Sequence, residues 1–197
     1  TITRVAYKAP KTSMAKKSMV YMPTVLAKSQ KWGVDADLIL AIMHTESHFN
    51  PMAQSAIPAY GLMQVVPTSA GKDVTKRYQG KATLLSPETL FNPNFNIEVG
   101  TSYLNILLSH YLNKVEDPVS RTYLAIAAYN GGVGTVARHF TGKKSLSGLA
   151  KKANTLTPEY IYESLVNDFP FKETRNYLKK VHGKQGFYKK SLTVASI

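Results

Sequence analysis

Residues 39–51 read ILAIMHTESHFNP, and they place one glutamate on an otherwise apolar helix face. Residues three, four and seven positions apart share one face of an α-helix, and here they are Ile39, Ile42, Met43 and Glu46. That face is predicted to turn toward the protein interior. Burial disfavours the ionised form of a carboxyl group and raises its pKa, as a general acid working near neutral pH requires. Two interpretations follow, a catalytic acid or a core Glu paired with a Lys or Arg.

The helix that carries Glu46 is predicted to run from about Ala36 to Ser47. Asp35 can cap its first turn, and Pro51 disfavours the α conformation in the residue before it. Periodicity near 3.6 residues recurs along the chain, whereas strand-like alternation is scarce, so the fold is predicted to be mainly α. Further helices are expected at about 18–32, after Pro67, and at 96–112, 118–129, 133–140, 146–153, 158–168 and 172–182.

The length of 197 residues fits one compact helical domain with a sizeable core. Its predicted parts are a basic segment and first helix (1–32), a central catalytic region (33–182) and a basic surface tail (183–197). No apolar run reaches the roughly 18–20 residues of a membrane span. There is no cysteine, so disulfides and thiolate metal sites are excluded.

The formal charge of +13 is concentrated toward the two ends of the chain. Residues 33–120 hold five Lys or Arg against eight Asp or Glu, for −3, and the flanking segments hold 20 against 4, for +16. Such flanks favour a polyanionic target attracted over long range. The candidates are nucleic acid, anionic lipid headgroups or an acidic cell-wall polymer. A solvated basic surface is the alternative without function.

Two motifs suggest cofactors and fail on spacing. His44 and His48 lie four residues apart on one helix face, but a zinc protease places its Glu directly after the first His, and Glu46 lies on the opposite side. The glycine-rich stretch 131–134 follows a predicted helix and lacks the Lys-Ser/Thr of a phosphate loop. Neither a metal nor a nucleotide is expected, and the glycines are explained by helix capping.

Several short motifs occur in a fixed order along the chain. They are Glu46-Ser47-x-Phe49-Asn50-Pro51, Ser55, Gly61-Leu62-Met63-Gln64-Val65, Asn96-Ile97 with Gly100 and Tyr103-Leu104, Ala127-Ala128-Tyr129-Asn130-Gly131-Gly132, and Glu173-Thr174-Arg175-Asn176-Tyr177. This series resembles that of the soluble and membrane-bound lytic transglycosylases, most of all a membrane-bound member. Only residues 56–60 depart from the pattern, being more apolar than the family implies.

The resemblance implies a lysozyme-like helical fold, of the goose-lysozyme and transglycosylase type. It also implies cleavage of the β-1,4 bond between N-acetylmuramic acid and N-acetylglucosamine in peptidoglycan. Glu46 would protonate the glycosidic oxygen and then act as base on the muramoyl 6-hydroxyl, which closes a 1,6-anhydro ring. Most glycosidases need a second carboxylate. None is obvious near the motif here, and the resemblance implies that the substrate's own N-acetyl group assists instead.

The remaining matched residues are expected to bind substrate. Gln64 and Asn130 offer amides to acetamido and hydroxyl groups, and Tyr129 offers a ring face and a hydroxyl. Met63 would form an apolar wall beside the acid, and Ser55 would orient the substrate or the carboxylate. Tyr177 is carried over from its motif as a further substrate-binding residue, with a structural role as the alternative.

The resemblance places the protein in the bacterial periplasm or cell envelope, with any outer-membrane anchor upstream of Thr1. The expected partner is the peptidoglycan glycan strand, bound by a monomer without metal, nucleotide or nucleic acid. Three alternatives stay open. They are a hydrolytic lysozyme of the goose type, a wall-binding assembly protein without turnover, and a nucleic-acid-binding module that rests on charge alone.

Overall fold

The structure is a computed structural model that describes residues 4–7 and 13–195. Ten α-helices and two short strands are formed within these residues. The strands are β1 (Arg4–Tyr7) and β2 (Leu192–Ala195), and the helices are α1 (Ser13–Trp32), α2 (Ala36–Ser47), α3 (Lys72–Gln79), α4 (Pro87–Leu90), α5 (Pro93–Ile106), α6 (Pro118–Gly131), α7 (Val133–Thr141), α8 (Leu146–Ala153), α9 (Pro158–Asn167) and α10 (Lys172–Ser191). Single π-helical turns occupy Pro67–Gly71 and Leu107–Tyr111.

The chain folds into two compact units. The first unit comprises the described residues up to Tyr103 together with those from His182 onward, and the second unit comprises Leu104–Val181. The chain passes from the first unit to the second within α5 and returns within α10. Domain limits at residues 32 and 182 stay a prediction, and part of the N-terminal basic segment lies outside the described residues.

Helix α2 forms the core of the first unit. All six residues from Leu38 to Met43 are buried, five of them with no exposed surface, so the helix is enclosed on every side over more than a turn. A helix that is apolar all round belongs inside a core rather than on a surface. The apolar face predicted from Ile39, Ile42 and Met43 is therefore present, and the rest of this segment is buried as well.

Charged side chains tie α1 to α5 within the first unit. Glu98 on α5 pairs with Lys28, at 2.5 Å, and with Lys31, and its carboxylate also accepts a hydrogen bond from the Trp32 indole at 3.1 Å. The pairs with Lys28 and Lys31 lower the pKa of the Glu98 carboxyl, although its partial burial acts in the opposite direction. The two ends of the described chain are joined by β1 and β2, which pair antiparallel with Arg4 opposite Ala195.

The second unit is organised around α6, whose residues Leu124–Ala128 are buried. Three of its helices, α6, α8 and α9, begin at side-chain caps. The carboxylate of Asp117 accepts from the amide of Ser120 at 2.7 Å, and Ser145 and Thr157 cap α8 and α9 in the same way. Each cap satisfies one of the free amide groups of a first helical turn.

Several element boundaries differ from those predicted. Helix α1 begins five residues before the expected Ser18. The single helix expected over 96–112 is replaced by α5 and a following π-helical turn. Helix α5 begins earlier than expected, at Pro93, because proline is well tolerated in a first helical turn. Residues 80–96 were expected to be loop, and α4 forms there on a Ser86 cap. Helix α2 has the bounds that the sequence predicts, but the expected cap is not formed, because the Asp35 side chain accepts no hydrogen bond from the first turn.

The C-terminal segment is the main correction to the expected fold. Helix α10 does not end at His182 but continues to Ser191, so the residues expected to form a surface tail begin as packed helix. Tyr188 is fully buried, and its hydroxyl lies 3.0 Å from Nδ1 of His44 on α2. Gln185 donates to Asp37 on the same helix at 3.0 Å. One buried aromatic among lysines carries too weak a period to be seen in the sequence.

None of the helices described within residues 13–195 is both long enough and apolar enough to cross a bilayer.

Replacing Tyr188 by Ala tests the packing of α10. Because Tyr188 is fully buried, we expect Tyr188→Ala to lower the free energy of unfolding by about 3–5 kcal/mol. The neighbouring Phe187 is 42% exposed, and Phe187→Ala serves as the control with an expected loss of about 1 kcal/mol. Urea unfolding of both variants measures the difference. Equal small losses would mean that residues 183–191 form a tail in solution.

Candidate active site

Glu46 lies in the last turn of α2 and is half-buried, as its place on the apolar face predicts. The helix ends directly after it through two left-handed residues, His48 at φ 50° and Phe49 at φ 61°. Left-handed backbone at non-glycine residues is unfavourable by roughly 1–3 kcal/mol each and clusters at functional sites. The turn brings the Phe49 ring inside, where it is 4% exposed, and leaves Glu46 at the end of a rigid, buried helix.

Ser47 connects the end of α2 to the Gly61–Val65 motif. Its hydroxyl lies 2.7 Å from the carbonyl oxygen of Leu62 and 3.0 Å from that of Met43, one turn back on α2. The side chain is buried, and a hydrogen bond to Leu62 is made across fifteen positions of sequence. The residue beside Glu46 thereby holds the turn that carries Met63 and Gln64.

The Gly61–Val65 turn is stabilised mostly by its own backbone. Tyr60 and Val65 exchange two hydrogen bonds of 3.1 Å, and the Gly61 amide donates to Ala53 at 2.8 Å. Gln64 is left-handed at φ 49°, and its side-chain nitrogen donates to the carbonyls of Ala53 and Gly61, both at 3.0 Å. Both amide hydrogens of Gln64 are used in this way, so a substrate contact would use its carbonyl oxygen.

Met63 has no exposed surface in this structure. It packs against α5, where a Cβ added to Gly100 would come within 2.5 Å of the Met63 sulfur. Ser55 is exposed, its hydroxyl donates to the Ile57 carbonyl, and its amide donates to Ala59 at 3.2 Å. Within the first unit, Ser47 thus links the end of α2, next to Glu46, to the turn that carries Met63 and Gln64, while Ser55 lies on the surface of the same loop.

The second unit holds the other expected site residues, Tyr129, Asn130 and Tyr177. The Asn130 oxygen accepts from the Thr174 hydroxyl at 2.7 Å, and its nitrogen donates to Glu173 at 3.2 Å. The first turn of α10 therefore fixes the orientation of the Asn130 amide. Tyr129 is half-buried at the end of α6, and Tyr177 is 6% exposed.

Three residues that the sequence did not single out bond to the site residues or to their neighbours. Ser47 bonds the Leu62 carbonyl, Asn96 accepts from the Met63 amide, and Thr174 donates to Asn130. All three belong to the ordered motifs, which was the signal available. Short polar side chains give no clue in sequence to which distant backbone group they bind.

His44 on α2 and His48, directly after the helix, have structural partners. The Tyr188 hydroxyl bonds Nδ1 of His44, whose ring also lies 5.7 Å from that of His48 in an edge-on arrangement. Burial, together with the nearby positive charges of Lys184 and His48, lowers the pKa of His44 from 6.5 to about 4. Across residues 13–195 no group of three or more His, Asp or Glu is placed to hold a metal ion.

Comparison with known proteins identifies the family. Residues 23–151 match the family model described as Transglycosylase SLT domain, so the chain belongs to that family of transglycosylases. It is similar to the membrane-bound lytic murein transglycosylase C of Shigella sonnei (strain Ss046), with 47% identity over 175 residues. The match covers 89% of this chain and 48% of that relative, so the chain spans about half the relative's length.

Solved structures of similar proteins agree with this membership. The lytic transglycosylase Slt of Pseudomonas aeruginosa, solved as an inactive mutant, matches with a TM-score of 0.67 and 27% identity over 89% of this chain and 25% of its own. The 70 kDa soluble lytic transglycosylase of Escherichia coli matches with a TM-score of 0.66 and 28% identity, covering 86% and 24%. The predicted mainly helical, lysozyme-like fold and the predicted family are confirmed. The roles of the individual site residues stay predictions.

The pKa of His44 leads to a prediction for pH. His44 is neutral in the fold down to about pH 4, whereas it titrates near 6.5 in an unfolded chain. Between these values the unfolded chain binds more protons, so this contribution to stability is complete above about pH 6.5 and is lost as the pH falls toward 4. NMR titration of the imidazole, with urea unfolding of wild type and His44→Gln at pH 7 and 5, measures it. A His44 ring that titrates near 6.5 would contradict the prediction.

Proposed function

We propose that this chain is the catalytic part of a peptidoglycan lytic transglycosylase. It cleaves the β-1,4 bond between N-acetylmuramic acid and N-acetylglucosamine and leaves 1,6-anhydro-N-acetylmuramic ends. The observation that carries the proposal is the half-buried Glu46 at the end of a helix that is enclosed in the core, in a chain of the transglycosylase family. The expected activity needs one acid at a fixed place, and α2 supplies it.

The proposed reaction returns Glu46 to its starting state. The protonated carboxyl donates its proton to the glycosidic oxygen as the bond to the muramoyl anomeric carbon breaks. The substrate's N-acetyl oxygen stabilises the cationic carbon, and the 6-hydroxyl oxygen then bonds to that carbon. The Glu46 carboxylate accepts the hydroxyl proton in this step. No water is consumed, and the products are the N-acetylglucosamine end and the anhydro ring.

Two other carboxylates of the first unit, Asp37 and Glu98, are engaged elsewhere. Asp37 on α2 accepts from Gln185, and Glu98 is paired with Lys28 and Lys31. A hydrolytic glycosidase would need a second carboxylate about 6.5–9.5 Å from the acid to activate water, or about 5–5.5 Å away as a nucleophile. The engagement of Asp37 and Glu98 supports attack by the substrate's own hydroxyl.

Each unit, taken by itself, holds residues for which substrate binding is proposed. In the first unit, Ser55 offers a surface hydroxyl, Gln64 a side-chain carbonyl, and Met63 an apolar body behind the turn. In the second unit, Asn130 presents an amide oriented by Thr174, and Tyr129 and Tyr177 supply aromatic rings. Amides and hydroxyls suit the acetamido and hydroxyl groups of amino sugars.

The similar proteins support this choice of reaction and substrate. One solved relative is an inactive mutant that carries a Glu→Gln substitution, which fits a mechanism dependent on one glutamate. Another is a 70 kDa soluble lytic transglycosylase in complex with bulgecin A. The relative described as membrane-bound supports a place in the bacterial periplasm or cell envelope, with anchoring through a longer form. We propose a monomer, and the +13 charge would favour an acidic wall polymer.

Replacing Glu46 by Gln tests the acid. Gln has nearly the same shape and cannot supply the proton, so we expect Glu46→Gln to reduce release of soluble fragments from purified sacculi by at least about 10²-fold. Sacculus binding and the unfolding midpoint are expected to change little. Glu88→Gln, at an exposed carboxyl in the first turn of α4, is the matched control and should keep wild-type turnover. Retention of more than about a tenth of the activity by Glu46→Gln would remove the assignment.

The product chemistry separates a transglycosylase from a lysozyme. Because the 6-hydroxyl attacks within the substrate, digestion in ¹⁸O-water should leave the new muramoyl end unlabelled. Hydrolysis would instead add one labelled water to this end. Mass spectrometry of the released muropeptides measures both. Incorporated label would show hydrolysis, with Asp73 in the first turn of α3 as the next residue to substitute. Binding without release would favour the wall-binding alternative.

A further inference from the structure

Asn96 on α5 is fully buried, and its side chain contacts the loop that carries the proposed substrate-binding residues. Its nitrogen donates to the carbonyl oxygens of Tyr60 and Leu90, and its oxygen accepts from the amide of Met63. Each of these three hydrogen bonds is 2.8 Å long. Both hydrogens of the amide group are used, and the oxygen has a backbone partner.

The close approach of the loop to Asn96 depends on Gly61. A Cβ added to Gly61 would lie 2.4 Å from the Asn96 nitrogen and 2.4 Å from the Leu90 oxygen, so no other residue fits there without movement. Gly61 is also left-handed, at φ 77°. The absence of a side chain at Gly61 therefore leaves the space that the Asn96 amide occupies.

A single peptide group is held from both ends by this arrangement. The Met63 N–H and the Leu62 C=O belong to the same planar unit. Asn96 on α5 accepts from the N–H at 2.8 Å, and Ser47 on α2 bonds the C=O at 2.7 Å. Ser47, Asn96 and the two residues that share the peptide are all buried. The orientation of the Leu62–Met63 peptide is thus set by two helices, one of which carries Glu46 in the position before Ser47.

We propose that Asn96 is a positioning residue for substrate binding, and that with Ser47 it clamps the Leu62–Met63 peptide. The inference rests on the proposed function for the part that concerns substrate. The next residue along, Gln64, is left-handed and has its amide hydrogens bound to backbone, so its carbonyl oxygen takes its direction from the clamped peptide. Asn96 acts on the glycan through Gln64 and makes no contact with it.

The clamp is tested first without substrate, by hydrogen exchange of the Met63 amide. In the wild type this amide should exchange slowly, because it donates a buried hydrogen bond to the Asn96 oxygen. Asn96→Asp keeps one oxygen for Met63 but sets its second oxygen against the Tyr60 and Leu90 carbonyls, and we expect exchange at least about tenfold faster. Ser102→Ala is the control, because Ser102 is equally buried on α5 and bonds only Val99 of its own helix.

The second measurement is a split between KM and kcat on soluble glycan strands, at a temperature where circular dichroism shows every variant folded. Asn96→Asp should raise KM about tenfold at pH 7 and lower kcat much less. At pH 5 the KM of this variant should fall part of the way back toward the wild-type value, because the protonated carboxyl can again donate a hydrogen bond. Ser102→Ala should keep the wild-type KM. A stability loss alone would not produce a pH-dependent KM in a folded enzyme.

Ser47→Ala provides a milder variant if Asn96→Asp does not fold. Where both single variants fold, their effects on KM should be coupled because both residues hold one peptide, and the double variant should lose less than the product of the single losses. Wild-type exchange of Met63 and wild-type KM in the single variants would overturn the clamp, as would independent effects in the double variant. Wild-type protein that releases no anhydro-muropeptide would overturn the proposed function, while the exchange of Met63 would still decide the clamp.

Discussion

The burial of α2 from Leu38 to Met43 is the constraint on which the rest of the first unit depends. A helix enclosed from Leu38 to Met43 cannot shift without disturbing packing on every side, since protein interiors are close to crystalline density. Glu46 lies on this helix about one turn beyond Met43, which has no exposed surface. Its carboxyl is therefore held in place by the apolar core, whereas its exposure is set by where the helix ends. A catalytic group on a rigid element can be positioned within a fraction of an ångström.

Buried side chains that bond backbone groups provide the second level of order. The loop beyond α2 contains left-handed residues and little regular structure, so some of its peptide groups bond to side chains. Ser47 on α2 and Asn96 on α5 supply two of these partners, and Gln64 supplies another from within the loop. In the second unit Thr174 does the same for the Asn130 amide. Networks of this kind specify one arrangement because an unmatched buried group is costly.

Most helices could be predicted because their signals are local. The bounds of α2 were predicted from the apolar spacing, Asp35 and Pro51, although the Asp35 side chain makes no capping hydrogen bond, and α8 forms over the predicted residues. The helical continuation to Ser191 could not be predicted, because Tyr188 gains its stability from His44 and Phe49, about 140 positions away. The π-helical turn after Ile106 and the pairing of β1 with β2 likewise depend on contacts that no short window contains.

For the site, the sequence by itself determined the candidate acid, since an ionisable residue on an apolar helix face is visible from spacing alone. It also determined the order of motifs and hence the family. Only the tertiary structure decided how Gly61, Asn96 and Ser47 combine on one peptide, and that the hydrogens of Gln64 are bound to backbone. The physical reason is that periodicity reports which way a side chain faces, whereas hydrogen bonds between distant residues are fixed only when the core brings their helices together.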